Sequence, residues 1–446
     1  MFDSQLRSWR ILADSSLVAA AHATTGELAR RLFDTALLAK AIQQVPQQSA
    51  SPAVMQWQPS TLAAGHAGLA LLCATLDQSY PEHGWDQTGH QHLVQAMQAA
   101  SKKARLYAGL FSGLSGLSFA AWSLSRAGTR YRRVLATLDQ RLLPKIYSIV
   151  EIALRQRNGG PVDLYDVVSG LSGIGAGLLP RWQNANVART LQEILTGLIA
   201  LTKEEDGLPA WYTPPRFCVQ KDWQQLYPDG SLNCGLAHGL PGILAMLSLA
   251  KSHGLAVPGI DHAIRRSADW LVAHQVADEW GVGWPTAVPV EPEKNTSQLL
   301  KPGRTAWCYG TPGVARSLWL AGIATENERY REAAYSALQS VYRRPLAARQ
   351  LTSPSFCHGV AGLLQIILRM AHETEDSLFI EATNTLMSQL LSLYEPDSLL
   401  GYRDQERADI FVDQPSLLNG VAGIILVLLA TSTTMVPYWD RLFLLS

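Results

Sequence analysis

The sequence predicts an all-α fold: an α/α toroid of seven inner and seven outer helices, with one Gly-x-x-Gly at the start of each inner helix. Three observations lead there. The first is a repeat. Gly-x-x-Gly recurs seven times in similar settings, beginning at Gly65, Gly113, Gly170, Gly239, Gly310, Gly359 and Gly420, with spacings of 48, 57, 69, 71, 49 and 61 residues. Repeats at such periods are the mark of stacked helical units. The second is that each copy runs into apolar sequence, among them LALLCATL, ILAMLSLA, LLQIILRM and IILVLLA. A helix apolar on nearly all sides is buried all round. The third is that stretches with one polar face lie between these runs, ATENERYREAAYSALQSVYRR (324–344) being the clearest.

One unit is therefore a buried helix, a return, an amphipathic helix and a loop. An open array of such units needs polar terminal caps. The chain has none, so a closed ring is expected. The glycines let backbones approach closely and permit the turn into each inner helix. Pro241 and Pro312 fall in the first helical turn, where proline is tolerated. Thr325 with Glu328 reads as a capping box for the helix of 324–344. Asp261 reads as the N-cap of DHAIRRSADWLVAHQ. Residues 1–446 read as a single domain, with 1–55 as a helical lead-in. The longest loops, 204–233, 277–306 and 396–417, each precede a Gly-x-x-Gly. If every unit has one hand, all inner helices start at one end of the ring, and these loops hang over that opening. They carry Trp211, Tyr212, Trp223, Tyr227, Trp280 and Trp284. Loops 204–233 and 277–306 have no clean strand alternation.

Composition narrows the function. Charged residues are 17% and apolar residues 47% of the 446, which suits a large buried interior. Basic and acidic residues balance at 37 each, with no basic run, so nucleic acid is not the expected partner. The longest apolar runs, such as VAGIILVLLA (421–430), fall well short of the roughly 18 residues of a membrane span. The opening MFDSQLRSWRILADSS has no secretory signal pattern, so the expected location is the cytoplasm. Five cysteines in so long a chain are no disulfide framework.

Chemistry gathers at the helix mouths. Counting from the first glycine of each copy, Cys308 (WCYG) and Cys357 (FCHG) both stand at −2, and His358 and His238 (LAHG) at −1. A lone cysteine is ordinarily a small buried hydrophobe. Two at equivalent positions of consecutive units, one beside a histidine, form a Cys₂His set with one tetrahedral position open. That is the pattern of catalytic zinc, and thiolates select zinc over magnesium or calcium. Cys308, Cys357 and His358 are thus the expected metal ligands, one zinc per chain. Cys73 lies within an apolar helix, Cys218 has no histidine near it, and Cys234, at −5, is out of register. His66 matches no other unit, and His83, His90 and His92 read as a solvated loop.

LAHGLPG, RTAWCYGTPG and FCHGVAG in this order, with LYDVVSGLSGIG before them, resemble the lanthionine synthetase C-like family. The likeness covers nearly all the chain past about residue 55. It implies the same seven-plus-seven toroid, in which family members can carry a small β extension; here loop 204–233 or 277–306 would host it. The bacterial stand-alone members are lanthipeptide cyclases, which add cysteine thiols to dehydroalanine or dehydrobutyrine and so close thioether rings. Carried over residue by residue, the resemblance implies zinc on Cys308, Cys357 and His358. It implies an acid/base role for His238 with Asp166 as its acidic partner, and further active-site roles for Arg304 and Tyr309. The implied partners are a dehydrated precursor peptide of leader and core, a lanthipeptide dehydratase and an export transporter. Peripheral attachment to a membrane-bound biosynthetic complex goes with them.

In that chemistry zinc deprotonates a thiol, and attack on the β-carbon makes an enolate that takes a proton at the α-carbon. His238 suits the donor role near neutral pH. Asp166 could hold its tautomer or deprotonate the thiol, and at −4 it could also simply cap the helix. Other readings fit the same residues: zinc-dependent alkylation of another thiol, by glutathione-type addition or prenyl transfer, or a peptide-binding toroid without catalysis.

Overall fold

Each of the seven Gly-x-x-Gly copies opens a helix in the computed structural model, which describes residues 9–205, 207–218, 221–290 and 300–446. These helices are His66–Ser79, Leu114–Ser123, Leu171–Leu178, Leu240–Ser252, Thr311–Ala324, Val360–Thr374 and Val421–Ser432. Their all-round apolar sequence has the expected consequence: every one of the 12 residues of Val421–Ser432 is buried. Each fully buried Leu, Ile or Val there contributes roughly 1.5–3 kcal/mol. The intervening helices bury one stripe only. Glu328–Arg343 buries Tyr330, Ala334, Ala337, Leu338 and Val341 at helical spacing and exposes its charges.

The chain divides into two compact units, one of Met1–Leu106, Gly116–Ala136 and Leu351–Trp439, the other of Tyr107–Ser115, Thr137–Gln350 and Asp440–Ser446. In the first, Val421–Ser432 packs against both His66–Ser79 and Val360–Thr374, so the last buried helix meets the first. After it the chain has only a short 3₁₀ segment, Tyr438–Phe443. Its amphipathic cover comes instead from the N-terminal lead-in: Ser15–Leu32 packs on Val421–Ser432 and Ser377–Ser392. Trp9 reinforces this by donating from Nε1 to the Ala430 carbonyl (2.9 Å) and stacking on His372 (3.6 Å). The lead-in therefore supplies a structural helix of the repeat. Residues 1–8 of it lie outside the described residues.

Four of the seven helix mouths share one backbone bond. The residue after the first glycine donates its N–H back to the carbonyl at −6: His66 to Pro59, Leu114 to Tyr107, Val360 to Ser353 and Val421 to Gln414, each at 2.9 Å. This pulls the loop onto the glycine. A Cβ on Gly359 would stand 2.3 Å from the Ser353 carbonyl oxygen. Gly359 itself is extended (φ −121°), so close approach, not handedness, demands glycine there. Gly310 needs it twice, with φ +101° and a Cβ position 1.6 Å from the Arg304 carbonyl oxygen.

Within each unit the mouths are also joined to one another at position −2. In the first, Cys357 N–H donates to the Leu418 carbonyl (2.9 Å), and Leu417 N–H to that of Ala63 (2.9 Å). In the second, Phe111 donates to Val168 (3.1 Å), Val167 to Ala237 (2.9 Å) and Ala237 to Cys308 (3.2 Å).

The long loops do carry strands, in four two-stranded antiparallel pairs among the described residues. Glu204–Glu205 pairs with Leu208–Pro209, Val276–Asp278 with Gly281–Gly283, and Asp404–Arg407 with Ile410–Val412. Ser231–Asn233 pairs with Ala287–Pro289, which ties loop 204–233 to loop 277–306. Strands of two to four residues are too short to show alternation in sequence. Residues 206, 219, 220 and 291–299 of these loops lie outside the described residues.

Several local expectations are corrected. Thr325 does not cap the helix after it. It ends Thr311–Ala324 and donates Oγ1 to the Ala321 carbonyl (2.7 Å), while Asn327 caps Glu328–Arg343. Asp261 lies within the first turn of Ile260–Ala273 and bonds Lys251; the cap is Gly259 at φ +84°. His90 and His92 are helical, within Trp85–Ser101, whose buried Gly89, Leu93, Ala96 and Ala100 fall at helical spacing hidden among glutamines and histidines. His66 meets His92 there, Nδ1 to Nδ1 at 3.0 Å. Burial, with His66 beside it, holds His92 down to about 4. Trp211, Tyr227 and Trp284 are buried, and Trp284 donates to the Leu271 carbonyl, so these aromatics pack the body of the fold.

Gly310→Ala should destabilise the protein by about 2 kcal/mol or more, through positive φ and a backbone clash together. Gly254→Ala, at φ +81° with nothing within 4 Å of the added Cβ, should cost about 1 kcal/mol. Urea unfolding of both variants checks this, and equal losses would refute the close-approach argument.

Candidate active site

Five of the seven residues singled out in the sequence, Asp166, His238, Arg304, Cys308 and Tyr309, fall on neighbouring mouths of the second unit. His238 precedes Leu240–Ser252, with its imidazole about a third exposed. Its Nδ1 lies 2.7 Å from Asp166 Oδ2. Asp166 is 2% exposed, and its other oxygen is also occupied: Oδ1 accepts from the N–H groups of Ser169 (2.7 Å) and Gly170 (2.8 Å). So the carboxylate both closes the loop ahead of Leu171–Leu178 and holds the imidazole. It does not cap the helix, as the sequence allows: the N-cap is Gly170, and no side chain bonds the first turn.

The next mouth brings Cys308 and Tyr309. The Cys308 carbonyl accepts from Ala237, the residue before His238, and the Cys308 side chain is 7% exposed. The Tyr309 ring lies 6.0 Å from that of His238. Asn233 positions it: Nδ2 donates to the Tyr309 hydroxyl (3.2 Å), while Oδ1 accepts from Gly235 N–H (2.8 Å). Gly235 is needed because a Cβ there would come 2.6 Å from the Tyr309 ring. Trp223, from loop 204–233, approaches the same ring at 6.2 Å. Asn233 is not marked by the sequence, because its position, −6, holds a different residue type in every copy of the repeat. Arg304 does not join this cluster through a bond; it is exposed, and its side chain has no hydrogen bond or ion pair among the described residues.

The charge on His238 follows from these contacts. Burial works against the imidazolium, but the hydrogen bond and charge of Asp166, with Cys308 nearby, overcome it, and the pKa rises above 6.5. A raised native pKa stabilises the fold fully below the unfolded value near 6.5 and loses that contribution as pH rises through the native one.

The first unit holds Cys357 and His358. Cys357 is partly exposed, and its N–H is fixed by Leu418. His358 Nε2 lies 3.2 Å from Asp404 Oδ1, a carboxylate the sequence did not flag. No disulfide joins any of the five cysteines. Burial lifts the Cys73 thiol well above its ordinary range and pushes Cys234 to about 12. Both stay protonated and are poor ligands. Among the described residues no group of three or more His, Cys, Asp or Glu side chains is arranged to hold a metal ion. By donor chemistry, two thiols and an imidazole fit zinc, and a histidine held from behind by a carboxylate is the usual orientation of a zinc-binding imidazole.

A seven-fold helical repeat with an imidazole–carboxylate pair at one mouth and a Cys-His pair at another defines a class. The chain belongs to the lanthionine synthetase C-like family, whose model matches residues 56–444. Among curated proteins it is similar to the nisin biosynthesis protein NisC of Lactococcus lactis subsp. lactis, 25% identical over 395 residues, covering 86% of this chain and 88% of that one. A solved structure of nisin cyclase matches with a TM-score of 0.75 at 23% identity, over 92% of this chain and 97% of the other. The chain thus has the nisin cyclase fold, the α/α toroid that the seven repeats predict. No helix among the described residues is long and apolar enough to cross a membrane.

Asp166→Asn should lower the His238 pKa, because the raising hydrogen bond and charge go while burial stays. Histidine titration by NMR reads it, and an unchanged midpoint would remove Asp166 as the cause.

Proposed function

We propose that this protein is a lanthipeptide cyclase, adding cysteine thiols of a dehydrated precursor peptide to dehydroalanine or dehydrobutyrine to form lanthionine and methyllanthionine rings. Family membership supports this class, as does the likeness to nisin cyclase. The observation that carries it is the Asp166–His238 pair on the mouth bonded to that of Cys308.

The thiol releases its proton to solvent, its sulfur bonds the β-carbon, the alkene electrons move onto the carbonyl oxygen, and the resulting enolate takes a proton at the α-carbon, so that no net proton is gained or lost. His238 is the proton donor in this reading. Its Nδ1 is committed to Asp166, so Nε2 delivers the proton, and the raised pKa keeps more of the imidazole charged near neutral pH. Asp166, with both oxygens engaged, orients His238 rather than taking a proton from the thiol. The Tyr309 hydroxyl, held by Asn233, and the exposed Arg304 guanidinium are assigned to the developing enolate charge.

The metal we assign is one zinc, with Cys308, Cys357 and His358 as ligands. When bound, it keeps a substrate thiol in the nucleophilic thiolate form. The precursor consists of leader and core and comes from a dehydratase, and an export transporter takes the product. The cytoplasm is the assigned compartment, where cysteines stay reduced, with peripheral contact to a membrane-bound complex.

Metal analysis should find about one zinc per chain, and Cys308→Ala or Cys357→Ala should each remove it; full zinc in both would sink the ligand assignment. His238→Ala should retain zinc and lose ring formation by about 10²-fold or more. Mass spectrometry of a dehydrated peptide with its free thiols alkylated reads this. No thiol consumption by the parent protein from any dehydrated peptide would favour a binding role.

A further inference from the structure

Behind the Cys357-His358 mouth stands a carboxylate outside the repeat frame. Asp404 opens the hairpin of Asp404–Arg407 and Ile410–Val412. Its side chain is fully buried, with Oδ1 3.2 Å from His358 Nε2. The same oxygen accepts from Ser353 Oγ (2.6 Å). Ser353 in turn belongs to the mouth loop: its Oγ accepts from Ser355 N–H (3.0 Å), and its carbonyl accepts from Val360, the first residue of the helix. Asp404 Oδ2 is buried and has no hydrogen-bond partner among the described residues.

A fully buried carboxylate is costly unless a cation or several donors answer its charge. Here the protein supplies one hydroxyl and one imidazole, both to the same oxygen. The positive charge that would answer it lies beyond His358. We infer that Asp404 is a positioning residue for the metal centre: it engages Nε2 of His358, fixes the tautomer with the proton on Nε2, and thereby makes Nδ1 the ligand nitrogen. This rests on the zinc reading above. Holding an imidazole from behind sets ring orientation and raises ligand basicity, and losing such a partner typically weakens metal binding about 10–100-fold. Ser353 keeps the carboxylate turned toward the ring, so the mouth loop and the hairpin set the ligand jointly.

The test is zinc affinity of the full-length protein, by competition with a chromophoric chelator, together with the absorption bands of the Co²⁺-substituted form. Asp404→Asn should bind zinc about 10–100-fold more weakly and shift the Co²⁺ bands, while the metal-free protein melts as the parent does. Asp404→Glu should recover part of the affinity. Zinc affinity of Asp404→Asn within twofold of the parent would overturn the inference while leaving the zinc reading intact. A parent protein that binds no zinc would overturn both. Should Asp404→Asn fail to fold, Ser353→Ala carries the test: a few-fold loss supports the inference, and no change overturns it.

Discussion

The hydrogen bond from one helix mouth to the next is the constraint on which the rest depends. In each unit the residue at or beside position −2 gives its N–H to the −2 carbonyl of a neighbouring mouth, as Ala237 does to Cys308 and Cys357 to Leu418. Helix starts carry orphan backbone groups that must find partners; at four mouths the first N–H turns back to its own loop, and the outer edge of a loop bonds another mouth. This bond places the side chains at −2 and −1 with backbone precision. It also accounts for the glycines, since the loop must fold onto its own helix start before its outer edge can reach a neighbour. At Gly310 and Gly359 no room is left for a Cβ.

The same economy governs the polar side chains. Asp166 answers two backbone N–H groups with one oxygen and orients His238 with the other. Asn233 closes its own turn through Gly235 and holds the Tyr309 hydroxyl. Ser353 joins a mouth loop to Asp404. Polar groups that would be costly to bury alone find partners in the loop and also hold a neighbouring side chain of the candidate site. Rigidity at the mouths therefore follows from backbone bookkeeping, and the chemistry inherits it.

Buried helices and amphipathic helices divide the remaining work. The seven apolar helices need no pattern beyond continuous burial, so insertions between them are tolerated as long as each mouth closes. That explains how first-glycine spacings range from 48 to 71 residues while each copy still opens a buried helix. The extra length goes into hairpins and loops, of which the pairing of Ser231–Asn233 with Ala287–Pro289 joins two.

What the sequence by itself determined is local and periodic. Seven glycine pairs, seven apolar runs and the placement of Cys308, Cys357, His358 and His238 in one frame all depend on neighbours within a few residues. Helical period and close-approach glycines can be read at that range. Tertiary structure decided what depends on distant partners. Ser15–Leu32 covers Val421–Ser432, some 400 residues away, and no local signal marks it for that place. Thr325 and Asp261 lost the caps their sequence suggests, because the chain turns two residues away, at Asn327 and Gly259. Asp404 stands behind His358, and Asn233 beneath Tyr309, through contacts 46 and 76 residues apart in sequence. A side chain's role in a pair is set by what folds against it, and single-sequence periodicity carries no record of that partner.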